Sequence, residues 1–120
     1  MRRTVRQLET ALRQATTRGQ KALAHYRLAI FHDNNNREKM AIPHYRLALR
    51  LGLSGKRKSE AHVWLASSLY KTGQPVEARK HLHQALRLTR SVELKRFLGG
   101  LEKKIIRLGK SCSGKSSYRN

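Results

Sequence analysis

The sequence predicts an all-α protein built as a stack of antiparallel helix hairpins. Three observations carry that expectation: a helix-favouring composition, an internal repeat, and turn residues at matching points in each copy. Ala, Leu, Arg, Lys and Gln are abundant and only two prolines occur, so most of the chain loses little freedom on becoming helical. At 120 residues the chain suits one domain with a modest core. Hydrophobic residues make up 38% and aromatics 6%, so that core should rest on Leu and Ala.

The repeat is direct. Residues 25–51 align without a gap to 62–88, at an offset of 37, with nine of 27 positions identical. The matches include His25/His62, Leu28/Leu65, Ala29/Ala66, Ala41/Ala78, His44/His81 and Ala48/Ala85. Small residues recurring at fixed places let paired helices approach closely, which chance Leu/Ala richness does not supply.

Taken in order, the first helix is expected at 3–16, where Val5, Leu8, Leu12 and Ala15 recur at helical spacing. That stretch is Arg-rich and acid-poor like a transit peptide, but its apolar stripe reads as a structural helix. The next helix, 20–33, is followed by Asn36, which stands where Gly73 stands in the second copy. Both residue types tolerate the left-handed turn that closes a helix. A third helix at 37–51 contains Pro43, which deletes a backbone hydrogen bond and costs about 3 kcal/mol in a helix interior. It is therefore expected to be kinked, or 37–42 to form a separate turn. A fourth helix runs over 57–72, and Pro75 opens a fifth at 75–89, where its missing N–H is not needed. Ala78, Leu82, Ala85 and Leu86 form the inward stripe of that fifth helix. The sixth, 91–107, carries Gly99–Gly100, each costing roughly 1 kcal/mol against Ala. Residues 109–120, GKSCSGKSSYRN, lack an apolar pattern and read as a disordered basic tail.

The second copy, WLASSLYKTGQPVEARKHLHQALRL, resembles the tetratricopeptide repeat (TPR) family at Leu65, Ala66, Leu69, Gly73, Ala78, Leu82, Ala85 and Leu86. The first copy matches at Leu28, Ala29, Ala41, Tyr45, Ala48 and Leu49, and Leu98–Gly99 look like the start of a third unit. The resemblance covers roughly residues 20–104. Two departures stand out: Arg90 replaces a frequent closing proline, and the linker LGLSGKRKSEA is three residues longer than usual, similar to small bacterial members. The resemblance implies a right-handed α-solenoid of about six helices, one domain over 1–108. Its copies lie at about 22–55 and 59–90, flanked by helices 3–16 and 91–107. About three units are usually needed for a stable array, so two copies with flanking helices sit at that threshold and a homodimer is an expectation to test.

The same resemblance implies function. In the family, the first helices of successive repeats line a concave groove that receives peptides. Position by position, that groove would show Tyr26, Ile30 and Asn34, then Val63, Ser67, Tyr70 and Lys71, then Arg96 and Lys103. Aromatics beside cations suit an acidic peptide or helix. Tyr45 and Trp64 read as inter-helix packing, while Tyr26 and Tyr70 fit packing and partner contact equally. The carboxylate-clamp subtype needs Asn where this chain has Ile30 and Ser67, so chaperone C-termini are not the expected ligand.

Charge offers a second reading. The chain holds 27 Lys and Arg against 7 Asp and Glu, a net charge of +20. Such self-repulsion favours anionic neighbours, including nucleic acid or the ribosome. Lys56, Arg57, Lys58, Lys103, Lys104 and Arg107 would then contact phosphates on a helical frame. Arginine supplies 16 of the 27 basic residues, which suits bidentate phosphate contact.

Several chemistries are argued against. Gly109, Gly114, Lys115 and Ser116 spell the P-loop pattern. That motif needs a preceding strand, a following helix and an acidic magnesium partner, and none is read around it. His81 and His83 lie about 200° apart on a helix and cannot face one ion. His25/His62 and His44/His81 are features of the repeat, so neither metal nor cofactor is expected. No triad, carboxylate pair or activated nucleophile is readable, and a non-catalytic protein is expected. Cys112 has no partner for an internal disulfide, which fits a reducing cytoplasm. No apolar run approaches the ~20 residues that span a bilayer, so no membrane partner is expected.

Overall fold

The computed structural model describes residues 4–118, with side chains described to Leu108. The readings placed on the side chains of 109–120, the P-loop spelling and Cys112, lie outside that range, while the backbone of 109–118, expected to be disordered, continues the last helix. Among the described residues the chain forms six helices and no strand. They are α1 (Val5–Gln14), α2 (Arg18–Asn34), α3 (Glu38–Arg50), α4 (Gly55–Lys71), α5 (Pro75–Leu88) and α6 (Val92–Tyr118). The all-α expectation holds, with α6 continuing as backbone helix past the expected end at 107.

Helix starts follow local chemistry. Thr4 and Thr17 cap α1 and α2, each accepting from the N3 amide while Gln7 or Gln20 reaches back to the cap. Pro75 stands at the first position of α5, as expected.

Helix ends follow one template used three times. After α2, the Arg37 amide donates to the His32 carbonyl at 2.8 Å and Asn36 donates to Asp33 at 3.1 Å. After α4, Gln74 donates to Leu69 at 2.8 Å and Gly73 to Tyr70 at 3.1 Å. Leu53 and Gly52 repeat the pattern on Ala48 and Leu49 after α3. This pair of bonds satisfies otherwise orphaned carbonyls, but it demands a left-handed residue at the turn. Asn36 (φ 60°) and Gly73 (φ 78°) supply it, as the alignment expects.

Pro43 lies inside a single α3, so residues 37–42 do not form a separate turn. Its ring is exposed, as is Lys39, whose carbonyl loses the proline's missing donor. Water can serve that carbonyl, which is why the helix persists. The Gly99–Gly100 pair likewise does not interrupt α6.

Consecutive helices pack as neighbours, with the closest association inside the hairpins α2–α3 and α4–α5. Ala29, Ala41, Ala66 and Ala78 are fully buried at those seams, together with Leu65, Leu69, Leu82 and Ala85. Burying one leucine side chain contributes about 1.5–3 kcal/mol, so the leucines supply the driving force and the alanines the close approach. α4 also touches α6, which places the first helices of adjacent units side by side. One ion pair, Arg46 to Glu77, ties α3 to α5 on the exposed surface. Such exposed pairs add at most about 1 kcal/mol.

Candidate functional site

A groove of about 640 Å³ opens between α2, α4 and α6. From α2 it receives Ile30, Asp33 and Asn34, a spacing that puts all three on one helix face. α4 contributes Trp64, Ser67, Tyr70 and Lys71, and α6 contributes Arg96, Phe97, Gly100, Leu101 and Lys104. Gly100 keeps the α6 wall low, and a Cβ built there meets nothing within 4 Å.

The groove has an apolar bed and a cationic rim. Trp64 and Phe97 meet edge to face with centroids 5.7 Å apart, and Phe97 is 42% exposed. Lys71, Arg96 and Lys104 are exposed around them. Beneath lies a carboxylate, Asp33, which accepts from the Tyr45 hydroxyl at 3.0 Å and from Ser68 Oγ at 3.4 Å. Burial raises the Asp33 pKa above the ordinary carboxylate value, opposed by the Tyr45 hydrogen bond and the Lys71 charge. Tyr45 is fully buried, and burial beside that carboxylate raises its own pKa. The site therefore offers stacking surface, cations at the edge and one anchored anion in the floor.

Six residues expected in the groove are brought together there: Ile30, Asn34, Ser67, Tyr70, Lys71 and Arg96. Three are placed elsewhere. Tyr26 is in the core, 5% exposed, and its hydroxyl donates to Glu60 at 3.0 Å to link α2 with α4. Val63 is fully buried, so its neighbour Trp64 takes the groove position. Lys103 is exposed outside the groove, and Lys104 lines it instead. The last two corrections share one cause. A helix turns 100° per residue, so choosing a position one residue early rotates the assigned face off the groove. On α6 the correct face reads 97, 100, 101, 104, and the exposed aromatic Phe97 was its sequence signal.

The basic residues of the second reading do not form one patch. Lys56 lies beside Ser91 and Leu94 at one end of α4, whereas Lys104 lies beside Tyr70 and Lys71 at the other. The fourteen residue steps from Arg57 to Lys71 span about 21 Å of helix. Lys56, Arg57, Lys58, Lys103, Lys104 and Arg107 are all exposed. Among the described residues no group of three or more His, Cys, Asp and Glu side chains could hold a metal ion.

Hairpins joined by left-handed turns, alanine seams and a groove lined by first helices define a helical-repeat interaction module. A family model described as tetratrico peptide repeat matches residues 21–106, and the chain belongs to that family. The family is in general one of non-catalytic modules for protein–protein interaction and scaffolding. No curated protein and no solved structure matches the chain. No helix among the described residues is long and apolar enough to cross a membrane.

Proposed function

We propose that the chain is a non-catalytic adaptor whose groove holds a short acidic peptide or helix of a partner protein, in the cytoplasm. The observation that carries this reading is the pairing of an aromatic bed, Trp64, Tyr70 and Phe97, with the cationic rim of Lys71, Arg96 and Lys104. An amphipathic acidic segment would bury apolar side chains on the bed while its carboxylates meet the rim. A groove of this volume falls in the usual range of about 300–1,000 Å³ for ligand sites.

The test is titration with a labelled amphipathic peptide rich in Glu, Leu and Phe. The triple variant Lys71→Glu/Arg96→Glu/Lys104→Glu should weaken binding at least about 100-fold, since charge-assisted contacts are worth about 1.5–3 kcal/mol each. Its helical circular dichroism should match the unsubstituted chain. Equal affinity in both proteins sinks the groove assignment.

The second reading, phosphate contact by Lys56, Arg57, Lys58, Lys103, Lys104 and Arg107, is favoured by the net charge of +20 and by the exposure of all six. It predicts sequence-independent binding of a random RNA that falls steeply with salt. Absence of RNA binding at low salt eliminates it.

A further inference from the structure

The two hairpins share a feature that groove binding does not use. His25 Nδ1 and His44 Nδ1 lie 2.9 Å apart, joining α2 to α3. The equivalent pair, His62 Nδ1 and His81 Nδ1, lies 3.0 Å apart and joins α4 to α5. Ring centroids are 5.2 Å apart in both pairs, with interplanar angles of 30° and 26°. The same contact is therefore built twice, 37 residues apart.

Two facing nitrogens at this distance hold one proton between them. One ring donates its Nδ1–H and the other accepts with an Nδ1 lone pair. A first added proton can enter at Nε2 of the donor ring and leave that hydrogen bond in place, now charge-assisted. A second must occupy the accepting Nδ1. It then sets N–H against N–H and two positive charges side by side, and the contact cannot survive.

We propose that the two histidine pairs are proton-operated latches, each closing its hairpin while at least one ring is neutral and releasing it when both are protonated. Among the described residues no third ligand-bearing side chain completes a metal site at either pair. Because α2 and α4 form two walls of the groove, release of the latches also disassembles the proposed binding face.

The surroundings of the two pairs differ. Around the first stand Glu9 from α1, whose charge favours protonation, His32 stacked on His44 at 5.8 Å, and Arg37, which donates to His32 Nδ1 at 3.3 Å. Around the second stand Lys58 of α4, Lys80 and Glu77 of α5, and Arg46 from α3. Three cations against one carboxylate make the second pair the harder to charge. Burial lowers the pKa of all four rings, and the neighbouring histidine lowers His25 and His62 further. His62 is brought down to about 4. Since these folded-state values lie below the ordinary 6.5, the unfolded chain binds more protons, and stability falls as pH drops from about 6.5 toward 4.

The test is denaturant unfolding of the full chain between pH 7.5 and 4.5, for the unsubstituted protein and for His62→Gln/His81→Gln. In the unsubstituted chain the unfolding constant should rise about tenfold per pH unit for each proton taken up on unfolding. The double variant should lose about one such proton from the slope between pH 6 and 5, while the carboxylate contribution remains. An unchanged slope overturns the proposal. If the variant does not fold, nitrogen-15 NMR of the imidazoles in the unsubstituted chain decides. Second protonation should coincide with loss of native signals, whereas four rings titrating singly near 6.5 in an intact fold overturn the proposal.

Discussion

Hairpins α2–α3 and α4–α5 keep the same turn, the same histidine contact and the same buried alanines, yet differ beneath the groove. Where the second hairpin has Leu82, the first has Tyr45, and where the second has Tyr70, the first has Asp33. Leu82 is packed only by its fully buried shape. Tyr45 is equally buried but reaches Asp33 with its hydroxyl. One hairpin thus carries a polar couple that the other replaces by hydrocarbon below and an aromatic ring above. The repeat holds constant what sets backbone geometry, and changes what lies at and beneath the groove.

The sharpest way to break this comparison is to remove the hydrocarbon. Leu82→Ala should cost about 2–5 kcal/mol by leaving a cavity in the α4–α5 hairpin, read from chemical denaturation. Making the first hairpin more like the second has a smaller effect. Tyr45→Phe keeps the ring but strips Asp33 of its closest donor, and a loss of about 1–3 kcal/mol is expected. A change near zero would mean that the couple serves the groove and not the fold. The turns give the finest test. Gly73→Ala forces a side chain into the left-handed region and should cost about 1–2 kcal/mol, while Asn36→Gly should gain less than about 1 kcal/mol. Opposite signs at these matching positions would show that the two turns are one template under different strain.

Much of this architecture was legible in the chain. The offset of 37 aligned Asn36 with Gly73, and both adopt positive φ. Alanine recurrence pointed to seams that prove fully buried. The capping boxes at Thr4–Gln7 and Thr17–Gln20, and the third left-handed turn at Gly52, are also spelled in the chain. The groove was less legible, because helical periodicity fixes a face only to within about one residue, or 100°. That margin separates Val63 from Trp64 and Lys103 from Lys104. Tyr26 is a different case: it shares a helix face with Ile30, but its ring is buried and its hydroxyl donates to Glu60. The approach of His25 to His44 could not be read either, since it depends on the rotation of two helices about their own axes.

The four buried alanines have a consequence for how such a protein can be altered. They set the distance between helix axes from behind, at fully buried positions outside the groove lining, whereas Ile30, Ser67 and Tyr70 stand on the open side. Helix spacing and groove surface are therefore written in separate residues. Side chains on the open side can be exchanged while the frame stays the same width. Enlarging Ala66 by a single methylene, by contrast, would move two walls at once.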